Sequence, residues 1–138
     1  MMKTGHDIQG EIYDLLRGSS LDQAVSGKVY KAGYRPRDSR DEDIVVTFTQ
    51  STAGQVQDGI VTVNIYVPDI DPYGNGVWVE DGARTSAIER AALTWLDGID
   101  RSGTDLRLEA YQPPFTMEDN SARQHFVTLR IRFMYLDN

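Results

Sequence analysis

Between residues 123 and 135 the side chains alternate. Val127, Leu129, Ile131, Phe133 and Tyr135 share one parity, and Thr128, Arg130 and Arg132 take the other. Successive side chains of an extended chain point to opposite sides, so this pattern reads as a strand with one dry face and one wet face. Residues 56–67 repeat it, setting Val61, Val63, Ile65 and Val67 against Ile60, Thr62, Asn64 and Tyr66. Residues 43–50 do so again, with Ile44, Val46 and Phe48 opposed to Val45, Thr47 and Thr49. The Ser51–Gln55 linker contains Gly54 and has the length of a hairpin loop, while Gly59 is the kind of strand residue that marks a bulge. Residues 105–111 place Leu106, Leu108 and Ala110 opposite Asp105, Arg107 and Glu109, and residues 27–31 read as a short strand. Pro113-Pro114 then stops any strand and opens a loop through Ala122.

Two segments carry the helical period instead. In residues 5–17, Ile8, Ile12, Leu15 and Leu16 fall on one side, Thr4 is placed to cap the start, and Gly18 stands at a left-handed stop. Gly10 costs this helix about 1 kcal/mol relative to alanine, so packing must supply its stability. Residues 19–26 connect it to the first strand. The second helix carries Ile88, Ala91, Ala92, Trp95, Leu96 and Ile99. Its start is either Asp81 or a capping box formed by Ser86 and Glu89, and its end is Gly98 or Gly103. Residues 32–42 and 68–80 are rich in charge, proline and glycine and read as exposed loops.

The expected order is helix, short strand, hairpin, helix, two strands. Strands with one apolar face call for a sheet covered on one side, and two amphipathic helices are available to cover it. The fold class expected is α+β: a two-layer sandwich of about five mostly antiparallel strands with two helices on one face. The 138 residues suit one domain, able to bury a core without metal or disulfide. There is no cysteine, which excludes disulfides, thiolate catalysis and Cys-based zinc sites. No apolar run approaches the roughly 20 residues of a membrane helix, and the first residues lack the apolar stretch of a secretory signal, so cytoplasmic folding is the expectation. Twenty-one acidic and 14 basic residues give a net charge of −7, which argues against general nucleic-acid binding and for solubility.

Four constellations resemble sites, and each has a plainer reading. Asp69 and Asp71 could hold a hard cation, but the further ligands of a calcium loop are missing, and a solvated turn shaped by Pro68, Pro72, Gly74 and Gly76 accounts for them. His6 and His125 lie far apart in the chain, no Gly-x-Ser-x-Gly accompanies them, and His125 falls on the core-facing parity of its strand as a partly buried, hydrogen-bonded residue. Gly74-Asn75-Gly76 lacks the Lys and Ser/Thr of a phosphate loop and reads as a turn. Arg35, Arg37 and Arg40 stand among Asp38, Asp41, Glu42 and Asp43, so the charges nearly cancel and the segment reads as a charged loop for contacts or solubility. The wet sheet face is more informative. Thr47, Thr49, Thr62, Asn64, Tyr66, Thr128, Arg130 and Arg132 would share it, and arginine and tyrosine are enriched at the energetic centres of interfaces. This face is the candidate protein-interaction surface, the alternative being an ordinary solvated sheet face. No catalytic, cofactor or metal site is expected.

The layout resembles the tail terminator and tail-completion (head–tail joining) proteins of long-tailed bacteriophages and prophages. The features that carry the likeness are Tyr13-Asp14-Leu15-Leu16 at the end of the first helix, then Gly27-Lys28-Val29-Tyr30. The strand Val61-Thr62-Val63-Asn64-Ile65-Tyr66-Val67 follows, then a helix, then the closing strand from Phe126 to Phe133. The likeness spans nearly the whole chain but is one of layout, without a diagnostic motif. It implies a homo-oligomeric ring that caps the tail tube, faces the head-side connector, and works by assembly, in the cytoplasm and then in the virion. An acidic chain is compatible with lining a channel through which DNA slides. The loops at 32–43 and 68–80 are longer than that layout requires. Two other classes stay open: a small enzyme or ligand-binding domain using the 68–80 loop with Asp69, Asp71 and His125, and a non-phage adaptor domain.

Overall fold

The computed structural model describes residues 2–54, 56–100 and 104–136. Along the chain run α1 (Gly5–Leu16), α2 (Ser20–Ala24), β1 (Val29–Lys31), β2 (Ile44–Ser51), β3 (Gln57–Pro68), α3 (Gly82–Asp97), β4 (Leu106–Ala110), β5 (Phe115–Asp119) and β6 (Gln124–Tyr135). The fold is α+β, with an open sheet of six strands in the order β1-β2-β3-β6-β4, and β5 also paired to β6. β1 runs parallel to β2, and the other pairs are antiparallel. β3 occupies one side of β6 along its whole length, from Gln57↔Tyr135 at one end of the sheet to Pro68↔Gln124 at the other. β4 and β5 therefore follow one another along its second side, β4 against residues 131–135 and β5 against residues 124–128.

One face of this sheet is dry. Ile44, Val46, Val61, Val63, Ile65, Val67, Val127, Leu129, Ile131 and Phe133 are buried in one cluster with Ile8, Ile12 and Leu16 of α1 and Ile88, Ala92, Trp95 and Leu96 of α3. The two long helices thus lie on the face that the alternation marks as apolar. In α1 the buried positions are strictly i, i+4 and i+8, so Leu15, expected beside them, stands on the flank and is partly exposed. Thr4 accepts from the Asp7 N–H, and Asp7 accepts from the Thr4 N–H, a reciprocal cap that the sequence gives half of. Gly18 has φ +73°, the left-handed stop expected after the helix.

The structure departs from the sequence reading in three places and decides between its alternatives in a fourth. α2, capped by Ser19, occupies part of the 19–26 connector, and Leu21 from it is fully buried. β5 lies in the segment read as loop after Pro113-Pro114. α3 starts from Asp81, whose side chain accepts from the Arg84 N–H, and ends at Gly98; the competing stop, Gly103, lies outside the described residues. Ser86 and Glu89 form no cap, because both sit inside α3 and Glu89 accepts from the Thr116 hydroxyl of β5 at 2.7 Å. The bulge lies on β2 rather than β3: the register slips between Phe48 and Gln50, leaving Thr49 as the extra residue, and Gly59 sits across from Ser51.

The start of α3 is tied to the sheet by one polar knot. Arg84 donates Nε to Glu42 Oε2 at 2.6 Å and Nη2 to Glu42 Oε1 at 2.8 Å, and the same guanidinium reaches the Ala24 carbonyl. The Ser26 N–H also donates to Glu42. The Arg84 guanidinium, against the opposing effect of burial and helped by Ser26, holds the Glu42 carboxyl below its ordinary value. A carboxyl lowered in the folded state contributes stability above its unfolded pKa of about 4.3, and that contribution is lost as pH falls through the folded value. Glu42→Gln is expected to lower stability at pH 7 by about 1–2 kcal/mol, since Arg84 is partly solvated. Urea titrations at pH 7 and below pH 4 check this: the difference between the two proteins should shrink in acid.

Candidate interaction surfaces

The sheet face away from the helices is built in rows across the strands. Thr47, Thr62 and Arg130 form one row, and Val45, Asn64, Thr128 and Phe115 the next. Tyr66, Phe126 and Met117 follow toward one end, and Ile60, Arg132 and Glu109 toward the other. Thr49 joins the same face through a hydroxyl–hydroxyl hydrogen bond to Thr62 at 2.8 Å. All eight residues singled out from the sequence therefore share this face.

The face is not uniformly open. The 32–43 segment folds back over one end of it. Arg35 lies 4.1 Å above the Tyr66 ring, donates Nε to Asp43 at 2.9 Å, and reaches Gln124 Oε1 at 3.3 Å. Asp43 is only 1% exposed and also accepts from the Lys28 N–H and the Ser39 hydroxyl. Sequence reading takes this stretch as an exposed charged loop for contacts or solubility; its Arg35 and Asp43 instead form a clamp on the sheet. Tyr66 packs on Phe126 with ring centroids 5.5 Å apart, and burial pushes its phenol above the ordinary value. Thr128 is buried, and the side-chain oxygen of Asn64 is out of reach of water with no hydrogen-bond partner. At the other end Arg130 is exposed and Arg132 is held by Asp58 at 3.0 Å and Glu109 at 3.3 Å. The part of the face open to a partner is thus Thr47, Thr49, Thr62, Arg130 and Arg132.

A second surface stands out beyond the end of β3. Ile70 and Val79 exchange both backbone hydrogen bonds at 2.9 Å and close a hairpin. Asp71 sits inside its turn, accepting from the Asn75 and Gly76 N–H groups at 3.1 and 2.9 Å, while Asn75 accepts from the Val77 N–H. Gly74 and Gly76 have φ of +66° and +81°, which explains the glycines: the turn needs left-handed backbone at both positions. Held in this way, the hairpin exposes Ile70, Tyr73, Val77, Trp78 and Val79, with Tyr73 85% and Val77 57% exposed. Arg123 covers part of the Trp78 ring at 5.0 Å, and Arg40 donates to the Arg123 carbonyl. Exposed apolar side chains gathered on one short hairpin make it a candidate interaction surface. The signal was in the sequence, since five large apolar residues crowd a segment with no strand or helix long enough to hide them.

The candidate ligand residues of the 68–80 loop separate. Asp69 turns to His125, with Oδ1 2.6 Å from Nδ1, whereas Asp71 is consumed by the turn. Glu80 lies 3.8 Å from His125 Nε2 and accepts from the Thr85 hydroxyl at 2.6 Å, so His125 joins the base of the hairpin to the start of α3. It is partly buried and hydrogen-bonded, as its parity suggests. His6 is exposed in the first turn of α1. Among the described residues, no group of three or more His, Asp or Glu side chains is placed to hold a metal ion. No helix among them is long and apolar enough to cross a membrane. No family model matches the chain, and neither does any curated protein.

Proposed function

We propose that this chain is a structural assembly subunit of the phage tail terminator or head–tail joining kind. It forms a homo-oligomeric ring that meets the tail tube on one side and the head-side connector on the other, in the cytoplasm during assembly and then in the virion. The observation that carries the assembly role is the braced hairpin from Ile70 to Val79, which holds apolar side chains exposed at the surface, open to a partner. The phage assignment rests on the layout resemblance, from the helix ending in Tyr13-Asp14-Leu15-Leu16 to the closing strand. Mass measured by light scattering is expected to exceed the monomer at high protein concentration or on adding tube protein. A strict monomer under both conditions sinks the reading.

The 2.6 Å contact between Asp69 and His125 favours a second reading, a small ligand-binding domain or enzyme built on the 68–80 loop. It is the weaker of the two, because Asp71, the other residue that reading needs, is spent on the turn.

A further inference from the structure

The hairpin has a counterpart on the same molecule. A groove of about 400 Å³ lies where α1 meets the start of β4 and the end of β6, with Leu15, Ile99, Leu106 and Tyr135 as its apolar lining. Around that lining stand Asp14, Asp100 and Asp105, with Glu11 bonded to the Tyr135 hydroxyl and Lys3 paired to Glu11. The groove is therefore apolar within and acidic at its rim. The hairpin is apolar at its tip, and the Arg123 guanidinium lies over its Trp78 ring, with Arg40 bonded to the Arg123 carbonyl. Its own carboxylates are engaged internally, Asp69 by His125, Asp71 by the turn and Glu80 by Thr85.

The two features sit at opposite ends of the sheet. The hairpin follows Pro68, and the groove includes Tyr135, the last residue of β6. Twelve-residue strands separate them, roughly 35–40 Å at strand rise. A projection and a recess on opposite ends cannot satisfy each other within one molecule. A second copy placed head to tail brings them together. We infer that the hairpin tip of one copy, Tyr73, Val77 and Trp78 with Arg123 beside them, seats in the acidic groove of the next.

Such a contact is heterologous: each copy uses one surface to give and a different one to receive, so repetition makes a ring if the rotation closes and a filament if it does not. The inference rests on the self-assembly proposed above and assigns the surfaces that would perform it. The Arg123 guanidinium and the groove carboxylates are of opposite sign, which favours this register, while the apolar centre supplies the affinity.

Complementation between two crippled variants tests it. Tyr73→Asp combined with Val77→Asp spoils the hairpin and leaves the groove; Leu15→Arg spoils the groove and leaves the hairpin. Asp14→Lys with Asp105→Lys is a second groove variant at exposed positions, for use if Leu15→Arg does not fold. Wild-type protein is expected to assemble and each variant to run as a monomer by light scattering, with apparent affinity at least tenfold weaker. An equal mixture of hairpin and groove variants should give a dimer of one copy each and nothing larger, because only one competent pair remains. Variants that assemble like wild type, or a mixture that stays monomeric, overturn the head-to-tail contact and leave the ring reading standing. A wild-type monomer at every concentration, with and without tube protein, overturns both.

Discussion

Asp43→Ala is expected to lower stability by about 3–5 kcal/mol, the usual result of removing one partner of a buried ion pair. The carboxylate is 1% exposed and answers three donors at once, the Arg35 Nε, the Lys28 N–H and the Ser39 hydroxyl. Alanine leaves the Arg35 guanidinium, itself mostly out of water, without its counter-charge, and leaves the Lys28 N–H beside β1 unsatisfied. The loss is large on the scale of a domain whose total stability is about 5–15 kcal/mol. Asp43→Asn keeps the shape and one acceptor oxygen and should fall between. Urea unfolding followed by circular dichroism measures both; the midpoint should move while the slope stays constant if the folded state alone is affected. A loss below about 1 kcal/mol would mean that water replaces the missing carboxylate, and that the 32–43 segment is no clamp.

Gly59→Ala should be nearly as damaging, by a different route. A methyl group built on Gly59 falls 2.0 Å from the Gln50 carbonyl oxygen and 2.7 Å from the Ser51 Cα, and neither atom belongs to a flexible side chain. Only the backbone of the bulged strand can move, which forces apart the pairing of Gln50 with Ile60 and Ser51 with Gly59. Overpacking of this kind costs about 1–3 kcal/mol, and the upper end is expected where backbone meets backbone. Hydrogen exchange should show the loss concentrated at the 48–51 and 57–60 amides. Gly10→Ala is the control: the added methyl meets nothing within 4 Å on α1, so alanine's helix propensity should make that protein more stable by up to about 1 kcal/mol.

These cases show which parts of the structure a single sequence reveals. β3 and β6 are legible because every second side chain enters the same core, and the parity that separates Val127 from Thr128 carries over directly to burial and row. α1 is legible from Ile8, Ile12 and Leu16 for the same reason at a different period. β5 escapes notice because its residues reverse the rule. Phe115 and Met117 point to the outer face, while Thr116 and Glu118 lie on the helix side, where Thr116 finds Glu89. α2 is a single turn, too short for any period to declare itself. The site residues divide likewise. A shared parity brings the eight outer-face residues together, yet hydrophilic composition conceals that Arg35 and Asp43 are paired and inside. Which copy of a charge is paired is a fact of tertiary structure, and local sequence does not contain it.

The sheet's margins bear on how copies of the chain can join. β1, at one margin, has three residues. At the other, β4 and β5 cover β6 in two short lengths with Pro113-Pro114 between them. Beyond β1 the first border continues as β2 from Thr47 to Ser51, broken by the bulge at Thr49, so neither border offers a long, straight run of free amides and carbonyls and a neighbouring chain gains little by extending the sheet. Runaway stacking through main-chain hydrogen bonds is discouraged at both borders. In the proposed assembly, recognition between copies is therefore left to side chains, whose shape and charge can accept one orientation and refuse the rest.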